Sequence, residues 1–160
     1  MLDGPSVAEA LAASGVSHVV WLPDSDLGTW EAGLLAEPRM RLVRICREGE
    51  ALSIAAGLLL GGARPVVLIQ CTGLFEAGDS LRNVVHDLGL PLFVVVGARS
   101  WKAHRKGATP DTCPRFLEPI VAAWQLPITW LDDNSTADDL ARAYATARDE
   151  GRAHVALLAE

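Results

Sequence analysis

Six short apolar runs are spaced along this chain, and a helical pattern separates each from the next. The runs are 18–22 (HVVWL), 41–45 (RLVRI), 65–70 (PVVLIQ), 91–97 (PLFVVVG), 128–131 (ITWL) and 154–159 (HVALLA). Helices are predicted over 5–14, about 27–36, 48–61, from the 71–79 junction to about 88, 115–125 and 136–150. The segment 98–111 reads as a long polar loop. Strand and helix in strict alternation require a parallel sheet covered by helices on both faces. The runs at 65–70 and 91–97 are continuously apolar, as strands buried on both faces are. The expected fold is therefore α/β: a three-layer α/β/α domain around a mostly parallel six-stranded sheet. Ligands meet such sheets at the carboxyl ends of the strands. That directs attention to residues 22–27, 45–48, 71–76 and 97–112.

Bulk properties narrow the class of protein. A net charge of −6 in 160 residues argues against nucleic acid and anionic membrane surfaces as partners. No apolar run approaches the roughly 18 residues of a membrane span, and the start of the chain lacks the pattern of a secretion signal. The three cysteines, Cys46, Cys71 and Cys113, are odd in number and far apart. They read as free thiols in a reducing compartment, which with the other features points to the cytoplasm. The four histidines are scattered without metal-ligand spacing, and neither a GxSxG elbow nor a GxGxxG fingerprint occurs.

One helix carries an anomaly. The stretch CREGEALSIAAGLLLGG (46–62) sends two carboxylates into a small-residue, apolar run. At about 100° per residue, Leu52, Ala55 and Leu59 fall within about 40° of Glu48. Glu50 falls on the opposite face with Ser53, Gly57 and Gly61. Glu50 thus sits on the polar face of the first turn, where a negative charge suits the helix dipole. Glu48 sits on the apolar face, where a carboxylate is costly unless it is paired, hydrogen-bonded or protonated. Capping of the helix, or pairing with Arg44 or Arg47, would account for it. So would a polar ligand.

Three segments carry a family resemblance. GVSHVVWLPDSDLG (15–28), REGEALSIAAGLLLGGARPVVLIQ (47–70) and CTGL (71–74) together resemble the pyrimidine-binding (Pyr) domain of thiamine-diphosphate-dependent decarboxylases of the phosphonopyruvate and sulfopyruvate type. The resemblance implies a cofactor-contacting glutamate nine residues before the glycine of Ala-Ala-Gly. Counting back from Gly57 gives Glu48, the same acid that the helical face singles out. It implies that Glu48 hydrogen-bonds N1′ of the aminopyrimidine and assists proton transfer from the thiazolium. A buried glutamate with a tuned proton affinity would suit that role. It also implies that Thr72, Gly73 and Leu74 lie against the cofactor, and that Asp24 and Ser25 face the substrate. A plain turn, with Ser25 or Asp26 capping the next helix, explains the second pair equally. The chain departs from the resembled pattern at Cys71, where an Asn is usual, and in FEAGD (75–79).

Arg99 and Lys102 belong to a cluster of basic residues that could clamp an acidic substrate; a solvated surface loop is the alternative. The resemblance further implies Mg²⁺ and a diphosphate-binding (PP) domain with a Gly-Asp-Gly motif. That motif is absent here; GDS (78–80) is the nearest match and falls in a helix. The expectation is one Pyr-type domain over 1–160, with the PP domain on a separate beta chain in an α₂β₂ or larger assembly. Trp21, Trp30, Trp101, Trp124 and Trp130 divide between core packing and anchors for such an interface. The expected function is the alpha subunit of a thiamine-diphosphate-dependent 2-oxoacid decarboxylase. A carboligase subunit, or a non-catalytic binding module of the same fold, are the alternatives.

Overall fold

In the computed structural model, described for residues 2–25 and 27–160, the chain runs α1 (Gly4–Ala13), β1 (His18–Trp21), α2 (Glu31–Ala36), β2 (Arg41–Arg44), α3 (Glu48–Leu60), β3 (Pro65–Gln70), α4 (Cys71–Glu76), α5 (Gly78–Arg82), β4 (Phe93–Ala98), α6 (Trp101–Arg105), α7 (Cys113–Ala123), β5 (Ile128–Leu131), α8 (Ala137–Glu150) and β6 (His154–Ala159). The six strands form one sheet in the order β2-β1-β3-β4-β6-β5. Every pairing is parallel, so the sheet expected to be mostly parallel is wholly so.

Side-chain alternation along the strands builds two cores. Val20, Val67, Ile69, Val94, Val96, Val155 and Leu157 face Leu52, Leu74, Leu81 and Leu117 of α3, α4, α5 and α7. Val19, Trp21, Val66, Leu68, Val95 and Ala156 face Leu11, Leu34, Leu140 and Tyr144 of α1, α2 and α8. Each fully buried Leu contributes roughly 2 kcal/mol. The central strands β3 and β4 are buried almost throughout. The edge strands β2 and β5 are mostly half-buried or exposed. Trp21 and Trp30 lie in the core, whereas Trp101, Trp124 and Trp130 are half-buried.

β1 lies between β2 and β3, so the chain leaves one side of β1 and later returns on the other. This reversal of strand order opens a crevice between the loops after β1 and β3. Several local expectations change here. The helix expected over 27–36 opens as a 3-10 turn, Leu27–Trp30, before α2. The helix expected after a junction at 71–79 begins at Cys71 itself, breaks at Ala77 and ends in a π-turn, Asn83–Asp87. The loop expected over 98–111 contains α6, which starts after Ser100 in the left-handed region at φ 60°. α7 starts two residues earlier than expected, at Cys113.

The cysteine expectation is corrected as well. Cys71 and Cys113 form a disulfide, their Cα atoms 7.1 Å apart, and among the described residues Cys46 is the one free cysteine. Both begin helices, α4 and α7, that the parallel topology brings side by side. A separation of 42 residues hides that neighbourhood in the linear chain. The cysteines therefore no longer point to a reducing compartment. Among the described residues, no helix is long and apolar enough to cross a membrane.

Candidate functional site

α3 begins where β2 releases the chain. Arg47 is extended (φ −145°, ψ 140°) and serves as N-cap without a side-chain hydrogen bond. Glu48, Gly49 and Glu50 form the first turn, where acids suit the dipole. Glu50 is exposed, together with Ser53, Gly57 and Gly61; its Oε2 accepts the Cys46 N–H at 3.4 Å. Ala51, Leu52, Ala55 and Ala56 are buried. The two glutamates thus occupy the faces assigned to them. Glu48 is half-buried, not enclosed as a fully buried acid would be.

The ion pairs that would explain Glu48 away are formed with other acids. Arg44 pairs with Glu31, and Arg47 pairs with Glu76 at 2.5 Å. Among the described residues Glu48 has no hydrogen-bond or ion-pair partner, so its oxygens remain acceptors. Its side chain lies against Gly73. A Cβ at residue 73 would overlap Glu48 Cγ, Cδ and Oε1. Glycine at this position is therefore a steric requirement of the glutamate's placement, and it joins the first turns of α3 and α4 into one corner.

The other residues of that turn take distinct places. Thr72 is exposed, and its hydroxyl donates to Gln70 Oε1 at 3.2 Å. Gly73 is buried, and Leu74 lies wholly in the core, so Leu74 can offer a ligand only its backbone. The disulfide from Cys71 ties the corner to the start of α7.

Across the crevice, Asp24 is half-buried and Ser25 exposed. Asp24 Oδ1 accepts the Leu27 N–H at 2.8 Å, and its carbonyl accepts the Gly28 N–H at 3.1 Å. The cap of the following turn is therefore Asp24, one or two residues earlier than expected, because its side chain reaches the third amide ahead. Asp26, the other suggested cap, lies outside the described residues.

The basic cluster stands apart from this corner. Arg99 pairs with Asp111 at 3.0 Å and Lys102 with Asp133 at 2.6 Å. Asp111 also accepts the Cys113 N–H and the Ser100 hydroxyl, each at 3.0 Å. The Cys113 amide foremost, with help from Ser100 and Arg99, holds the Asp111 carboxyl below its ordinary range. Lys102, Arg105 and Lys106 line a cavity of about 300 Å³ with Trp101, Asp132 and Asp133. Neither Glu48 nor Gly73 lines it. Sequence reasoning missed the residue that organises the α3–α4 corner, Glu76, which it noted only as a departure from the resembled pattern. Its partners Arg47 and Gly49 lie 29 and 27 residues away.

The comparisons with known proteins agree with the geometry. A family model described as "Thiamine pyrophosphate enzyme, N-terminal TPP binding domain" matches residues 4–116. Phosphonopyruvate decarboxylase of Streptomyces viridochromogenes is 24% identical over 148 residues, 92% of this chain and 37% of that protein. Sulfopyruvate decarboxylase subunit alpha of Methanococcus maripaludis is 26% identical over 94 residues, 59% of this chain and 56% of that protein. Sulfopyruvate decarboxylase of Methanosarcina acetivorans is 26% identical over 118 residues, 72% of this chain and 30% of that protein. The chain thus spans 30 to 56% of the length of these relatives. The family match covers well over half of the chain, including both the glutamate and the glycine of the α3–α4 corner, and the chain belongs to the thiamine pyrophosphate enzyme family through its N-terminal TPP-binding domain.

Proposed function

We propose that this chain is the Pyr-type alpha subunit of a heteromeric thiamine-diphosphate-dependent 2-oxoacid decarboxylase. The observation that carries the proposal is Glu48: a half-buried carboxylate, without a partner among the described residues, held against the Cβ-less wall of Gly73. That arrangement fits an aminopyrimidine. A carboxylate with accepting oxygens can hold a protonated ring nitrogen, and a glycine lets a flat ring approach backbone closely. Glu48 is assigned to hold and exchange a proton at N1′. The backbone of Thr72, Gly73 and Leu74, with the Thr72 hydroxyl, is assigned to the pyrimidine's edge. When bound, thiamine diphosphate supplies the electron sink for loss of carbon dioxide.

Asp24 and Ser25, at the opposite rim of the crevice, are assigned to the substrate. The substrate class is a small 3-substituted pyruvate with an extra acidic group, in keeping with the names of the relatives. Arg99 and Lys102 would take that group by exchanging Asp111 and Asp133 for it. This requires movement, because both cations are already neutralised. Mg²⁺ and the diphosphate are assigned to a PP-type partner chain; among the described residues no three His, Cys, Asp or Glu side chains are grouped to hold a metal ion.

The test begins with purification of the chain from its own host in Mg²⁺ buffer. A second polypeptide and thiamine diphosphate should accompany it, and the assembly should release carbon dioxide from a 2-oxoacid. Glu48→Gln should then lower turnover by about a hundredfold or more, with the assembly intact. Undiminished turnover would remove Glu48 from the mechanism. A chain that never takes up the cofactor would favour a non-catalytic module.

A further inference from the structure

We infer that Glu76 is a positioning residue with two tasks: it fixes the first turn of α3, and it keeps Arg47 away from Glu48. The second task rests on the function proposed for Glu48; the first does not.

Glu76 is the last residue of α4 and lies one turn beyond Gly73 on the same helix. Residues three apart share a helix face, so α4 meets the start of α3 with both. Gly73 receives the Glu48 side chain. Glu76 reaches the residues on either side of Glu48: Oε2 accepts the Gly49 N–H at 3.1 Å, and Oε1 accepts from Arg47 Nη2 at 2.5 Å. The N-cap residue of α3, Arg47, caps none of the turn's amides with its own side chain, so one of the open amides is satisfied from another helix. A carboxylate there also complements the dipole. A Cβ at residue 49 would be crowded by Ser80 Oγ at 3.2 Å but would stand at ordinary contact distance, 3.6 Å, from Glu76 Oε2.

The second task follows from charge. Arg47 adjoins Glu48 in the chain and feels its charge, but Glu76 makes the largest contribution to holding the guanidinium protonated. The Arg47 ion pair in turn draws the Glu76 carboxyl below its usual range, with the Gly49 amide adding to it. Without Glu76, the acids left to Arg47 are Glu48, whose charge it feels more, and Glu50. An ion pair with Glu48 would occupy the oxygens that the aminopyrimidine needs. Glu76 is thus a carboxylate that leaves another carboxylate available.

Two readouts test this. The first needs no cofactor: amide hydrogen exchange in the full chain. Glu76→Ala should speed exchange at the Gly49 amide about fivefold, the loss of one helix cap, while exchange in β3 and β4 stays as in the parent. Unchanged exchange at Gly49 overturns the first task. The second readout is the affinity of the complete assembly for thiamine diphosphate in Mg²⁺, measured calorimetrically. Glu76→Gln keeps an accepting amide oxygen for Gly49 but releases Arg47, and should weaken binding about tenfold, roughly one ion pair to a charged group. The double variant Arg47→Gln/Glu76→Gln should recover most of that loss. A merely structural role for Glu76 would not be rescued by removing a second side chain, so a double variant as weak as the single one overturns the second task. If the parent assembly binds no cofactor, the proposed function fails and the second task with it, while hydrogen exchange still decides the first.

Discussion

Two corners of the sheet's carboxyl edge handle charge in opposite ways. Where α3 meets α4, both arginines are paired with other acids, Arg44 with Glu31 and Arg47 with Glu76, and Glu48 keeps its oxygens. Around α6 two cations are already paired, Arg99 with Asp111 and Lys102 with Asp133. The two corners also differ in how they are fixed. Besides its ion pairs, the first has a steric lock and a disulfide, which do not respond to salt or modest pH change. The second rests on surface ion pairs, which are individually weak. Chemistry that needs a group held in place is better served by the first corner. An acidic ligand that must enter and leave is better served by the second.

Perturbations should separate the corners accordingly. The largest effect belongs to the covalent tie. Replacing Cys71 with Ser opens a cross-link spanning 42 residues and should lower unfolding free energy by about 3 kcal/mol under oxidising conditions. Denaturation curves that coincide for parent and variant would show that the tie does not carry the corner. Thiol titration of the native chain should correspondingly find one reactive group, Cys46, and three only after reduction and unfolding. Next comes Gly73→Ala. The new methyl must displace Glu48, at a cost of about 2 kcal/mol for overpacking, and should abolish detectable uptake of thiamine diphosphate by the assembly. Uptake at parental affinity would contradict the lock.

Acid sharpens the comparison from the other side. Because the Asp111 carboxyl is held below its unfolded value, its hydrogen bonds stabilise the fold at pH above about 3.9 and are lost as pH falls through the lower folded value. Near-ultraviolet circular dichroism of the Trp101–Trp130 stack, 4.4 Å between ring centres, should therefore weaken below about pH 4 before the signal of the central strands. Simultaneous loss of both signals would mean that the corners are not independent. The smallest effect on stability is expected for Lys102→Ala, below about 1 kcal/mol for an exposed pair. In the assembly the same change should raise KM for an acidic 2-oxoacid more than it lowers kcat.

The strand positions were readable because their pattern is local. Runs such as PVVLIQ are apolar on both faces, and burial on both faces follows from that alone. The opposed faces of Glu48 and Glu50 were readable for the same reason, since helical geometry is set residue by residue. What escaped was long-range. Nothing in the linear chain places Cys71 beside Cys113, or Glu76 between Arg47 and Gly49; those meetings are made by parallel crossovers that return each helix start to the same edge. α6 escaped for a different reason. Five residues cannot display a helical period, and Ser100, although a capping type of residue, is left-handed and caps no amide with its side chain. Asp24 was legible as a turn residue, but its role as the cap depended on which of several acceptors the backbone brought within reach of the Leu27 amide.

The two outer strands bear on how copies of this molecule behave at high concentration. Each is only four residues long. β2 carries an exposed arginine at each end, one of them paired with Glu31. Trp130 of β5 stacks on Trp101 and donates its indole N–H to Glu118. Short, charge-flanked or side-chain-covered margins deny a neighbouring chain the row of open amides that strand-by-strand growth requires. The sheet is therefore closed to extension in practice although it is open in topology. Any stable association must be made through helix faces and strand-end loops, which is also where the candidate site lies.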